Sequence, residues 1–325
     1  MKDDFYTRLP LVEKPVSRIF FGTAFGSFMM GREQNELLDS MLGAGITAFD
    51  TAHNYLGAET SLGKWIEKSD NREKIVLLTK CAHPSIFGRS RVNEREIKSD
   101  LNRSLQQLHT DYVDIFLLHR DDPSVPAGEI VEVLNELHEK GKIRAFGGSN
   151  WRYERIAEAN EYADKHGLIP FAVSSPNYGL AEQIGDPWGG GCESITGSSH
   201  KGDRDWYRNT QMPVIAYSSL ARGLFSGRLK SDDLSDIDNV LDDAGKKGYA
   251  CEENFERLRR CEELAERKQV NVAQIAMAWI FRQDINAFAI VSTKSIERMR
   301  ENINAYELNL TPEECKYLNL EVNAL

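Results

Sequence analysis

Apolar residues along the 325-residue chain gather into eight short runs separated by longer segments of mixed character. The runs are SRIFFGTAF from 17, GITAFDTA from 45, KIVLLTKC from 74, DYVDIFLLH from 111, KIRAFGGSN from 142, IPFAVSSPN from 169, MPVIAYSSL from 212 and NAFAIVSTK from 286. Most are nearly continuous in Val, Ile, Leu and Phe rather than alternating, the pattern of parallel strands covered on both faces. Between them the spacing turns helical. In residues 92–109, Val92, Ile97, Leu101, Leu105 and Leu108 form one stripe. Residues 131–142 read the same way and stop at Gly141, and the segment from 260 reads as two helices meeting near Asn271. Strand then helix, repeated eight times, predicts a fold of the α/β class: a (β/α)8 TIM barrel, one domain over residues 1–325, with long loops at the C-terminal rim. The doubly wound open sheet is the alternative, but no GxGxxG turn follows the first strand.

The strand ends carry the candidate chemistry. Thr23, Asp50, Lys80, His119, Ser149 with Asn150, Ser174 with Ser175, Tyr217 with Ser218, and Ser292 with Thr293 and Lys294 each follow a predicted strand. A barrel gathers those ends at one rim, where such enzymes build their sites. Strands often end in polar turns, but Lys80 and His119 directly terminate strongly apolar runs, LLTK and IFLLH. Tyr55 follows Asp50 within FDTAHNYLG. A phenol near pKa 10 is a poor proton donor at neutral pH. An adjacent ammonium lowers that value, and a carboxylate holds the ammonium in place and charged. Asp50 and Lys80 are the expected pair. His119 is expected to hydrogen-bond a carbonyl oxygen as charge develops on it. Such a set gives a proton to a carbonyl oxygen. No side chain can supply the accompanying hydride, so a nicotinamide cofactor is required.

Two stretches lack a period. Residues 179–211, with Trp188 and Trp206, read as a long loop without helix or strand, and the acid-rich stretch from 226 reads as a cofactor cover or a surface insertion. Phe25, Phe87 and Trp151 are candidates for an apolar wall, with Trp151 retained as the substrate contact. His53 reads as a structural turn residue, and His83 and Arg120 as loop residues.

Composition adds limits. Fifty acidic against forty basic residues give a net charge of −10, which disfavours nucleic acid or anionic membrane partners through a global field. No run reaches the roughly 18 apolar residues of a membrane span and the start resembles no signal peptide, so a cytoplasmic location is expected. Five scattered cysteines, with no CxxC pair, argue against a disulfide framework and against structural zinc, and no metal is expected. A monomer or a small homo-oligomer are equally compatible with the sequence.

From FFGTAFG at 20 to MRENINAYEL at 299 the chain resembles the aldo-keto reductase family. The motifs that carry the resemblance are FDTAHNYLGAETSLGKWI, IVLLTK and YVDIFLLHR. It implies a catalytic tetrad of Asp50, Tyr55, Lys80 and His119 that reduces an aldehyde or ketone, a small-molecule carbonyl substrate, with NADP(H) preferred and NAD(H) as the alternative. GGSNW places Ser149 and Asn150 on the nicotinamide carboxamide. The family's usual glutamine after the next strand is replaced by Ser174 and Ser175, of which Ser175 is carried forward. VIAYSSLARGLFSG places Tyr217 on the nicotinamide and Ser218, Leu220 and Gly223 along the pyrophosphate. STKSIERMREN places Arg298 at a 2'-phosphate and Glu301 and Asn302 at adenine, with Lys294 nearby; Thr23 joins these cofactor contacts. A binding protein that senses NADPH without turnover is the rival reading, and a Schiff-base lyase using Lys80 a third.

Overall fold

In the computed structural model, which describes residues 3–325, each of the eight apolar runs contributes one strand to a closed barrel. A short antiparallel hairpin, β1 (Tyr6–Leu9) and β2 (Val12–Ser17), comes first. The barrel follows as β3 (Ile19–Gly22), β4 (Ala48–Asp50), β5 (Val76–Cys81), β6 (Val113–Leu118), β7 (Ile143–Ser149), β8 (Val173–Ser175), β9 (Val214–Ala216) and β10 (Ala287–Val291). Every neighbouring pair is parallel, and β10 closes onto β3 with Ala289 opposite Ile19. All residues of β5 and β6 are buried, which explains why their sequences run apolar rather than alternate.

Two apolar layers result. Phe20, Ala48, Val76, Leu78, Ile115, Leu117, Ala145, Val173, Ile215 and Phe288 fill the barrel interior. Leu9, Val12 and Val16 of the hairpin join that interior cluster and plug it from below. The hairpin was not among the predicted elements, because its strands, YTRL and VEKPVS, mix polar with apolar residues and form no continuous apolar run. The second layer lies between strands and helices. Helix Glu94–Gln107 buries Ile97 and Leu101 from the predicted stripe, together with Asp100 and Ser104, and Asn93 caps it by accepting from the Glu96 N–H. Asn271 lies between helices Glu252–Lys268 and Val272–Phe281, where it forms a capping box with Gln274.

Residues 179–211 are not wholly irregular: helix Lys201–Thr210 occupies their end. Its sequence, KGDRDWYRNT, is half charged and buries only Tyr207 completely, so no apolar stripe announced it. The stretch from 226 likewise contains short helices at Ile237–Val240 and Asp243–Tyr249. Close strand packing also imposes glycine. A Cβ on Gly147 would sit 1.9 Å from the Val173 carbonyl oxygen, an impossible contact with backbone.

Candidate active site

Register brings the strand ends to one rim. Gly22 pairs with Asp50, Asp50 with Leu78, Lys80 with Leu117, and Ser149 with Ser175. A cavity of about 840 Å³ opens there, lined by Asp50, Tyr55, Lys80 and His119 among others. After Asp50 the chain leaves the strand in a turn tied to β5: the Thr51 N–H donates to the Leu78 carbonyl and the His53 N–H to the Lys80 carbonyl, both at 2.9 Å. Leu56 then adopts a left-handed φ of 49°, and Gly57 packs so tightly on Gly31 that a Cβ would lie 2.3 Å from the Gly31 nitrogen. This close approach fixes where the turn delivers Tyr55.

The Lys80 ammonium is buried and donates to the Asp50 carboxylate, to the Thr51 carbonyl at 3.0 Å and to the Tyr55 hydroxyl at 3.4 Å. Burial pushes the ammonium toward neutrality, but the facing Asp50 carboxylate and the phenol outweigh it, so its pKa rises and the group stays charged. Burial raises the Asp50 carboxyl in turn, with Lys80 pulling it back. Tyr55 departs from expectation. Burial raises its pKa by more than Lys80 lowers it, so the phenol keeps its proton at neutral pH. His119 lies edge-on to Tyr55 with ring centroids 5.6 Å apart. Burial, followed by the cations Lys80 and Arg120, holds its imidazole well below the ordinary histidine range. It is therefore neutral, and its buried Nδ1 has no hydrogen-bond partner among the described residues. A neutral imidazole carries one N–H, so His119 and the protonated phenol of Tyr55, both lining the cavity, offer two donors for a carbonyl oxygen.

On β5 the Thr79 hydroxyl donates to buried Glu59 at 2.5 Å, and His53 lies 3.6 Å from Glu59 and 3.5 Å from buried Asp100. The His53 ring thus faces buried carboxylates between the turn and β5, and it is its backbone N–H, not its ring, that ties the turn to β5.

Ser149, Asn150, Tyr217, Ser218, Leu220, Gly223, Arg298, Glu301 and Asn302 also line the cavity. Asn150 has a left-handed φ of 59° and knits the rim together. Its amide donates to the His119 carbonyl at 3.1 Å, while its oxygen accepts from the Tyr217 hydroxyl at 2.7 Å and the Glu193 N–H at 3.1 Å. Helix Ile296–Asn304 places Arg298, Glu301 and Asn302 on one face. The buried Asn302 Oδ1 lacks a partner among the described residues. A single cavity of about 840 Å³ lined by Asp50, Tyr55, Lys80 and His119 and also by Arg298 and Asn302, with its orphaned amide oxygen, fits a dinucleotide.

Four expected contacts lie outside that lining. The buried Thr23 hydroxyl donates to the Asp50 carbonyl at 3.0 Å, and Ser175 to the Ile215 carbonyl at 2.7 Å, so both serve the barrel backbone. Lys294 is exposed beside Gly26. Trp151 is buried against Phe171 with centroids 5.1 Å apart and fits over Gly148, where a Cβ would come 2.4 Å from its ring. Phe87 is almost fully exposed. Of the expected apolar wall only Phe25 lines the cavity, joined by Met29 and Trp188. His83, Arg120, Arg222, Arg228 and Asn271 line it too. His83 and Arg120 follow the same strand ends as Lys80 and His119, a proximity that could have found them; Arg222, Arg228 and Asn271 carried no such signal.

The sequence profile of the Aldo/keto reductase family matches residues 18–320. The chain belongs to that family and is an oxidoreductase. It is 27% identical to the oxidoreductase YrpG of Bacillus subtilis over 97% of this chain and 94% of that protein. It is 29% identical to the aldo-keto reductase YhdN of Bacillus subtilis over 94% and 90% of the two chains. It is also 26% identical to the L-glyceraldehyde 3-phosphate reductase of Escherichia coli over 88% and 82%. Among the described residues no helix is long and apolar enough to cross a membrane.

Proposed function

We propose that the chain reduces an aldehyde or ketone to the alcohol with NADPH, using Tyr55 as the proton donor. The observation that carries this reading is the Lys80 ammonium bound to both the Asp50 carboxylate and the Tyr55 hydroxyl inside the cavity. When bound, a reduced nicotinamide supplies the hydride and its electron pair to the carbonyl carbon. The carbonyl π pair then moves onto oxygen, and Tyr55 gives that oxygen its phenolic proton. Lys80 stabilises the phenolate left behind until solvent returns the proton. Neutral His119 donates to the same oxygen and orients it, which favours the transition state as negative charge builds. Ser149, Asn150, Tyr217, Ser218, Leu220, Gly223, Glu301 and Asn302 would hold the cofactor. Arg298 would pair with a 2'-phosphate, which favours NADPH over NADH.

On this reading the enzyme acts in the cytoplasm on a small carbonyl compound. Purified protein is expected to oxidise NADPH steadily in the presence of aromatic and aliphatic aldehydes, followed by loss of the reduced-nicotinamide absorbance. Tight NADPH binding with no turnover across such a panel would overturn the proposal.

A further inference from the structure

Five basic side chains line the cavity, and four are accounted for. Lys80 is paired with Asp50 and Arg222 with Asp242, while Arg228 and Arg298 are solvent-exposed. Arg120 differs from all of them. It is only 8% exposed. Among the described residues no carboxylate oxygen comes within 4.0 Å of its guanidinium. Its Nη1 donates to the His119 carbonyl at 2.9 Å and its Nη2 to the Cys192 sulfur at 3.3 Å. Asp186 is near enough to feel its charge, but that carboxylate already accepts the N–H groups of Trp188 and Cys192 at 2.8 and 2.9 Å.

A guanidinium cannot shed its proton, so burial without a counter-ion is costly and an arriving anion relieves the cost. Arg120 follows His119 directly, and its charge is felt by Tyr55, His119 and His83, which puts it at the reacting end of the cavity. Phe25, Met29 and Trp188 supply apolar surface in the same space. We propose that Arg120 is the anion-recognition residue of the substrate site, and that the preferred substrates are carbonyl compounds carrying a carboxylate or phosphate on an organic body. A planar fork suits either oxyanion. The inference rests on the carbonyl-reductase reading above.

Two matched pairs test it: 4-carboxybenzaldehyde against its methyl ester, and glyceraldehyde 3-phosphate against glyceraldehyde, each with NADPH. The wild-type enzyme is expected to favour the charged member of at least one pair by about tenfold or more in kcat/KM, mainly through KM. The carboxylate pair alone responding identifies a carboxylate site, and the phosphate pair alone a phosphate site. In Arg120→Gln the charged-to-neutral ratio is expected to fall toward one, with Arg120→Lys retaining part of it. A wild-type ratio of one or less in both pairs overturns the inference, as does an Arg120→Gln ratio equal to that of the wild type. The wild-type arm keeps the proposal exposed even if Arg120→Gln does not fold. If none of the four aldehydes is reduced, the carbonyl-reductase reading itself fails and this inference with it; turnover of neutral aldehydes without charge preference sinks only the inference.

Discussion

Lys80 sits between Asp50 and Tyr55, its ammonium on the carboxylate and 3.4 Å from the phenolic oxygen. Asp50 and Lys80 come from two strands and are buried, while Tyr55 comes from a turn and is partly exposed. A pair so placed has consequences for stability as well as for chemistry.

Lys80→Met leaves the Asp50 carboxylate buried without its cation, which is expected to cost about 3–5 kcal/mol of folding stability. Aldehyde reduction is expected to fall on the order of 100-fold or more, because the phenolate loses its stabilising charge. Adding Asp50→Asn to that variant should restore part of the denaturant midpoint without restoring turnover. Comparing the two variants by urea unfolding and by kcat separates the structural role of the pair from its effect on Tyr55.

The pH profile distinguishes a raised from a lowered tyrosine. An acid works only while protonated, so reduction persists below the Tyr55 pKa and is lost as pH rises through it. Burial raises that pKa beyond what Lys80 takes away. The alkaline limb of kcat/KM for aldehyde reduction is therefore expected above the ordinary phenol value of about 10. A limb near neutrality would mean that Lys80 dominates burial.

Arg298 is exposed and lines the cavity, on the same helix face as Glu301 and Asn302. Arg298→Ala is expected to weaken NADPH binding by about tenfold or more while leaving NADH binding nearly as it was, since only NADPH carries the dianion that a guanidinium grips. Calorimetry with both cofactors reads this directly. Equal losses for the two would remove Arg298 from 2'-phosphate recognition.

The barrel was legible because its strands are buried on both faces and so print as unbroken apolar runs: each of the eight runs holds one strand. The rim was legible for the same reason, since Lys80 and His119 interrupt such runs abruptly. Elements that bury little were not. Helix Lys201–Thr210 hides Tyr207 completely and otherwise presents charge, and the β1–β2 hairpin contributes only Leu9, Val12 and Val16 to the interior. Side-chain direction was also beyond the sequence. Thr23 and Ser175 stand at strand ends as expected, yet their hydroxyls turn to backbone carbonyls, and Trp151 turns into the helix layer while Arg120 turns into the cavity. The Tyr55 pKa depends on how much of the phenol is desolvated, a property of the assembled walls rather than of any motif.

Tyr55→Phe is the most direct test of the central claim, because it deletes the phenolic proton and little else. With folding and NADPH affinity checked on the same sample, kcat for aldehyde reduction is expected to drop by roughly 100- to 10,000-fold, the usual contribution of a positioned general acid. Full turnover in that variant would contradict the assignment of Tyr55 as the proton donor.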